Sequence, residues 1–130
     1  TFLMTQNRPV NINILKIKLP LSAFLSITHR ISGILIFFLV LPFSVLAFSE
    51  LTQNEDSFDN FMNMYHTNFG IKFGCILLSL VFQYHIFTGI RHMLMDFHIL
   101  NESLSSSYKS AVATLVLFAI NALLTLWVML

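Results

Sequence analysis

Charge is scarce in this chain of 130 residues. Aspartate, glutamate, lysine and arginine together make up only 10% of it, whereas soluble proteins carry about 25%. Hydrophobic residues make up 56%, so too few polar groups remain to cover a soluble domain. The formal net charge of +1 provides no basic field for nucleic acid. The composition therefore predicts an integral membrane protein that does not bind nucleic acid.

Cysteine is almost absent as well. The single Cys75 excludes a disulfide framework and any cysteine-based zinc or iron–sulfur site. We interpret Cys75 as a small residue of the hydrophobic core. No segment resembles a nucleophile–base pair, a phosphate-binding loop or a metal cluster. The length suits one domain, which we take as residues 1–130.

Three uncharged apolar stretches predict an all-α membrane fold with three transmembrane helices. Residues 31–49, 73–90 and 110–130 each approach the roughly 20 residues that cross a bilayer as a helix. Pro42 predicts a kink in the first helix, and Asn121 in the third is expected to bond across the bundle. With their flanks, the predicted helices cover residues about 21–49, 69–97 and 107–130.

The loops differ in charge, which predicts an orientation. Basic side chains lie before or early in the first helix and around the second connection: Arg8, Lys16, Lys18, Arg30, Arg91 and Lys109. The first connection is acidic: Glu50, Glu55, Asp56 and Asp59. Basic residues favour the cytoplasmic side of a bacterial membrane or the matrix side of a mitochondrial one. We therefore expect the N-terminus and the second connection inside, and the first connection and the C-terminus outside.

Histidine and arginine side chains within the helices are the candidate functional residues, because an ionisable group costs about 2.5–3.5 kcal/mol on membrane-insertion scales. In the second helix, His85 shares one stripe with Gly74, Gly89 and His92. A histidine beside small residues suits a b-type haem, since the imidazole reaches iron and the porphyrin needs room. The alternative is a buried histidine bonded to a neighbouring helix. Spacing leaves both interpretations open.

The first helix places Ser26, Arg30 and Gly33 on one face, with His29 beside them. We expect the two polar residues and His29 to lie inside the bundle, with Arg30 at a depth similar to His85. A hydroxyl and a guanidinium one turn apart suit a quinone, whose oxygen becomes anionic on reduction. Arg30 or His29 equally suits a haem propionate. A third interpretation is an arginine that extends to the membrane surface.

Two longer motifs resemble one known family. Residues 8–11 (RPVN), 19–20 (LP) and 26–33 (SITHRISG) are similar to the first signature of the succinate dehydrogenase cytochrome b subunit, the larger membrane anchor of complex II. Residues 84–97 (YHIFTGIRHMLMDF) resemble its second signature. The resemblance covers the chain from end to end. One departure is His98, where we would expect a glycine, so the second helix is expected to end differently.

The resemblance implies specific cofactors and site residues. His85 corresponds to the axial ligand of haem b, and a histidine of a smaller anchor subunit supplies the second ligand. Ser26 and Arg30 correspond to ubiquinone-binding residues, and His29 and Arg30 lie near the haem propionates. The role of His92 stays open. The quinone site is expected to be completed by residues of partner subunits.

The resemblance also implies an enzyme complex in which this chain is not catalytic alone. The two anchors carry an iron–sulfur subunit and a flavoprotein with FAD, and electrons pass from succinate through the clusters to ubiquinone. We expect a multi-pass protein of a bacterial inner membrane, with a mitochondrial inner membrane as the alternative. Two alternative functions are compatible with three spans: an anchor that has lost its haem or quinone chemistry, and a channel or transporter element. The last ranks lowest because the polar residues cluster in the inner half.

Overall fold

A computed structural model describes residues 18–130. All regular structure in these residues is helical. Three of the helices are long and apolar enough to cross a membrane, which confirms the predicted three-helix architecture. Arg8, Lys16 and the start of the first motif lie outside the described residues. In chain order the helices are α1 (Leu21–Gln53), α2 (Glu55–Thr67), α3 (Phe69–Asp96) and α4 (Leu104–Met129).

The predicted irregularity at Pro42 takes the form of a π-helical turn. Residues Ile36–Val40 widen the helix just before the proline, and the Leu41 N–H bonds back to the Ile36 carbonyl, five residues earlier. Proline has no N–H to continue the normal ladder, and wider turns of this kind accommodate such a break. Helix α1 nevertheless continues beyond the predicted end at residue 49 and reaches Gln53.

Helix α2 occupies the connection that the sequence analysis treated as an acidic loop. The Asn54 side chain accepts a hydrogen bond from the Ser57 N–H at 2.8 Å and completes a capping box. Glu55 and Asp56 lie in the first turn, where carboxylates favour the positive end of the helix dipole. The apolar side chains recur at helical spacing along one stripe: Phe58, Phe61, Met62 and Tyr65.

A tyrosine attaches α2 to the end of α4. The Tyr65 hydroxyl donates to the Met129 carbonyl at 2.6 Å, and the Lys72 ammonium lies 5.4 Å from the centre of the tyrosine ring. Burial raises the pKa of Tyr65 above its ordinary value, so the hydroxyl stays protonated and donates at neutral pH. The short amphipathic helix is thereby anchored at the end of the three-helix bundle where α4 ends.

Arg91 joins the three long helices at the opposite end. It is only 2% exposed. Its Nη2 donates to Ser22 of α1 at 3.0 Å and to the Ser107 carbonyl of α4 at 3.1 Å, and its Nε donates to Ser110 at 3.1 Å. The sequence suggested two roles for Arg91, a basic flank of the second connection and an ionisable side chain within a helix, and its burial fits the second. Its side chain turns into the bundle, where serine oxygens accept from Nε and Nη2, whereas Nη1 is buried without a hydrogen-bond partner among the described residues.

A second polar cluster joins α3 to α4 nearer the middle of the helices. The Asn121 amide donates to the Gln83 side-chain carbonyl at 2.6 Å, and the Gln83 amide donates to the Thr125 hydroxyl at 3.0 Å. This confirms the expected bond from Asn121 across the bundle. In an apolar surround such bonds satisfy polar groups that lipid would leave without partners.

The end of α3 explains why a glycine was expected at position 98. His98 has a φ of 58°, the only positive φ of a non-glycine residue in the described chain. Its N–H bonds to the Met95 carbonyl at 3.0 Å, and the Ile99 N–H bonds to the Leu94 carbonyl at 2.9 Å. This is a Schellman motif, in which glycine is the preferred residue at the left-handed position. The helix thus ends in the geometry that glycine favours, although the left-handed residue is His98.

Candidate functional site

Helices α1 and α3 contact each other closely where each carries a histidine and a glycine. A Cβ added at Gly33 would lie 3.2 Å from His85 Cε1, and one added at Gly89 would lie 3.1 Å from His29 Cε1. Each ring therefore fills the space above the glycine of the other helix. The sequence analysis interpreted Gly89 as room for a flat ligand. In the structure that space holds the His29 ring.

The two histidine rings stack directly on each other. The centroids of His29 and His85 are 4.1 Å apart and their planes differ by 10°. His92, one helical turn beyond Gly89, lies 5.0 Å from His29 in a tilted arrangement. The structure thus brings together all three histidines that the sequence placed within the first two helices. The loop and surface histidines His66 and His98 are exposed and lie elsewhere.

Hydrogen-bond directions around His85 determine which ring nitrogen carries its proton. The Ser32 hydroxyl donates to the His29 carbonyl oxygen at 2.6 Å, so the hydroxyl oxygen must accept in its 2.9 Å contact with His85 Nδ1. The His29 carbonyl oxygen, 3.3 Å from the same nitrogen, also only accepts. His85 Nδ1 is therefore the donor in both contacts, so the neutral tautomer that they select has its lone pair on Nε2.

The same reasoning applies to His29 on the other helix. The Thr88 hydroxyl donates to the Tyr84 carbonyl at 2.8 Å, so it accepts from His29 Nδ1, 2.7 Å away. His29 Nε2 thus keeps its lone pair as well. One turn away, the Thr28 hydroxyl donates to the Phe24 carbonyl at 2.9 Å and accepts from the Tyr84 hydroxyl.

These contacts follow a pattern that both helices share. Residues 28–33 (THRISG) and 84–89 (YHIFTG) each contain a hydroxyl residue, a histidine, two further residues, a second hydroxyl residue and a glycine. Because the two helices cross in opposite directions, each histidine meets the second hydroxyl and the glycine of the other segment. The result is a local pseudo-two-fold arrangement with the stacked rings at its centre.

The sequence analysis missed Ser32, Thr88, Thr28 and Tyr84 as members of the site. Together they add three hydrogen bonds between α1 and α3, one of which joins Thr28 to Tyr84. Their signal was the shared spacing of hydroxyl, histidine and glycine, which becomes visible only when the two motifs are aligned with each other. Comparison of each motif with the family alone did not reveal it.

Ser26 and Arg30 lie beside this site on the flank of α1. Ser26 is half-buried and Arg30 is exposed. At about 100° per residue, their shared face is turned away from the stripe of Leu25, His29 and Ser32 that packs in the bundle. The expectation that both lie inside the bundle is therefore wrong for Arg30. Three helices are too few to surround α1, so this flank faces outward.

A neutral imidazole with a bonded Nδ1–H and a free Nε2 is the form that coordinates a metal ion. The Nδ1 contacts of His85 and His29 both select this tautomer, and both rings are half-buried. Together with the three long apolar helices, the site defines a multi-pass membrane protein in which α1 and α3 cross at a pair of stacked histidines.

Comparison with known proteins agrees with this class. The chain belongs to the succinate dehydrogenase/fumarate reductase transmembrane subunit family, which it matches over residues 4–126. This confirms the resemblance of its motifs. It is therefore a membrane-anchor subunit of an enzyme complex and is not catalytic by itself.

Individual relatives come from bacteria and from an alga. The chain is 36% identical over 93 residues to the succinate dehydrogenase cytochrome b556 subunit of Coxiella burnetii. The matched region covers 72% of this chain and 74% of that relative. The chain is 35% identical over 89 residues to the b556 subunit of Rickettsia bellii, with coverages of 68% and 67%. It is 30% identical over 113 residues to the cytochrome b560 subunit of Porphyra purpurea, with coverages of 85% and 88%. These names fit a bacterial and a mitochondrial membrane equally well.

Proposed function

We propose that this chain binds haem b through His85 and contributes Ser26 and Arg30 to a ubiquinone site. The observation that carries the proposal is the pair of hydrogen-bond acceptors at His85 Nδ1. Ser32 and the His29 carbonyl accept from Nδ1, which leaves the Nε2 lone pair available as an axial ligand of iron. The relatives are named cytochrome b subunits, which supports haem iron as the metal that binds this lone pair.

The chemistry of the neighbouring side chains fits a haem. Bound haem would supply one-electron transfer, and a histidine of a smaller anchor subunit would provide the second axial ligand. Arg30 is a cation on the exposed flank of the same helix segment, so it is available to a propionate. The His29 ring stacks on His85, and we assign it to the propionate end of the haem together with Arg30.

Ser26 and Arg30 have the chemistry that quinone reduction requires. The hydroxyl donates a hydrogen bond to a quinone carbonyl, and the guanidinium stabilises the negative charge that develops on the oxygen. The two residues lie one turn apart on a face that the bundle leaves accessible. We propose that an iron–sulfur subunit and the smaller anchor complete the site there, and that electrons from succinate arrive through the clusters of the former. A flavoprotein with FAD would oxidise the succinate.

We further propose that the N-terminal end of α1 lies on the inner side of the membrane. Lys18, Arg30 and Lys109 remain as basic signals on that side. The opposite side carries the acid-rich start of α2. A labelling experiment tests this in a variant whose Cys75 is replaced by alanine. A cysteine at Ser57 should react with an impermeant reagent added from outside, and one at Asn101 should not. The reverse pattern would contradict the orientation.

The haem assignment is tested with the complex purified through this chain. The reduced-minus-oxidised absorption spectrum should show a b-type signal in the wild type and in His66→Ala, whose side chain is exposed on α2. The signal should be altered or lost in His85→Ala. Because His29 offers an equivalent lone pair close by, a His29→Ala/His85→Ala double variant should lose the haem. An unchanged spectrum in His85→Ala, with the subunits assembled, would contradict the assignment.

The quinone assignment has a separate test. Ser26→Ala and Arg30→Ala should lower ubiquinone reduction by the assembled complex, while succinate oxidation by an artificial acceptor persists. Ser44→Ala, on an exposed face of the same helix, is the matched control and should retain both activities. Full ubiquinone reduction in Ser26→Ala and Arg30→Ala would contradict the assignment.

A further inference from the structure

Ser32 is neither a proposed haem ligand nor a proposed quinone-binding residue, but its hydroxyl contacts the proposed ligand His85 directly. It is 5% exposed and bridges the backbone carbonyl of His29 and the ring of His85. Its hydroxyl hydrogen goes to the His29 carbonyl at 2.6 Å, and its oxygen accepts from His85 Nδ1 at 2.9 Å. The serine thus makes the shorter of the two hydrogen bonds that orient the His85 ring, the other being 3.3 Å long.

We propose that Ser32 is a positioning residue that sets the reduction potential of a haem held by His85. The inference rests on the proposed haem-binding function. A hydrogen bond from Nδ1–H gives an imidazole ligand more anionic character and raises its basicity. A more basic ligand stabilises ferric iron over ferrous iron, so the Ser32 hydroxyl should keep the potential low.

The pseudo-two-fold arrangement supplies a matched control. Thr88 holds His29 through a 2.7 Å hydrogen bond in the way that Ser32 holds His85. Both hydroxyls are buried on the α1–α3 contact, and both accept from an Nδ1–H. Removing one or the other therefore perturbs the same contact by a similar amount, but only one of them acts on the proposed iron ligand.

The experiment is a redox titration of the haem in the assembled complex carrying Ser32→Ala, Ser32→Thr or Thr88→Val. In Ser32→Ala the longer bond to the His29 carbonyl remains, so haem should stay bound. Its midpoint potential should rise. Loss of such a second-shell bond typically changes metal affinity by 10–100-fold. A loss of about tenfold confined to the ferric state corresponds to about 59 mV.

The controls separate the possible outcomes. Ser32→Thr keeps the hydroxyl and should retain the wild-type potential, and Thr88→Val should shift it less than Ser32→Ala does. An unchanged potential in Ser32→Ala, with a haem spectrum that still depends on His85, would overturn this inference alone. A shift in Thr88→Val without one in Ser32→Ala would assign the iron to His29 and overturn both proposals.

Discussion

Replacing Gly89 with alanine should destabilise the bundle at the crossing of α1 and α3. The added Cβ would lie 3.1 Å from His29 Cε1, inside the roughly 3.5–4.0 Å of an optimal carbon–carbon contact. The ring has little freedom to move away. Thr88 holds its Nδ1 at 2.7 Å, and the His85 ring stacks on it at 4.1 Å. The strain therefore has to be taken up by separating the helices.

The magnitude follows from comparison with Gly74→Ala in the same helix. A Cβ at Gly74 would have no atom within 4 Å. Both substitutions gain about 1 kcal/mol of helix propensity, and this gain cancels in the comparison. Overpacking of a close contact costs about 1–3 kcal/mol. Gly89→Ala should thus be less stable than Gly74→Ala by about that amount.

The free energy of unfolding can be measured by titrating the detergent-solubilised protein with sodium dodecyl sulfate and recording helicity by circular dichroism. The account predicts that Gly89→Ala unfolds at a lower fraction of dodecyl sulfate than Gly74→Ala. Equal stability of the two variants would refute the claim that the His29 ring is held tightly against Gly89.

The same titration tests three further predictions. Arg91→Lys keeps the charge but loses the planar fork that reaches the serines of α1 and α4, so it should cost about 1.5–3 kcal/mol; wild-type stability would show that those bonds contribute nothing. Gln83→Leu should cost about 0.6 kcal/mol for each lost interhelical bond, and the effect should shrink in an Asn121→Leu background; additive effects would argue against the contact. His98→Gly should stabilise by about 1–2 kcal/mol, because glycine adopts the left-handed conformation without steric cost; a loss of stability would contradict the Schellman geometry.

The membrane spans were predictable because they depend on composition alone. Long uncharged stretches located α1, α3 and α4, and Pro42 located the break in α1. Helix α2 was missed because its signal is of another kind. It has a capping box at Asn54 and an apolar stripe among acidic residues, and a search for uncharged stretches passes over both.

The site was predictable residue by residue, but its contacts were not. The motifs identified His29 and His85 as the residues to examine. Which side chains meet them depends on how far each helix is rotated about its axis and on the register of the crossing, and packing sets both. The outward position of Arg30 and the inward position of Arg91 follow from that rotation. Charge alone predicted an inward Arg30, and for Arg91 it left open both a flank of the second connection and a position within a helix.

The glycines also show that a sequence pattern does not reveal which side chains meet across two helices. Small residues beside a histidine indicate a close approach, but the sequence does not say what approaches. At Gly33 and Gly89 it is a histidine ring of the neighbouring helix. The shared pattern of residues 28–33 and 84–89 contained that information, since two antiparallel copies of one motif can satisfy each other across a two-fold axis.

The central claim is that His85 is an iron ligand, and exchanging the ligand atom tests it most directly. In the assembled complex, His85→Met should either replace nitrogen by sulfur at the iron and raise the haem midpoint potential, as methionine–histidine ligation does, or release the haem. His66→Met on the exposed face of α2 is the control and should match the wild type. A His85→Met complex with an unchanged haem spectrum and an unchanged potential would contradict the account.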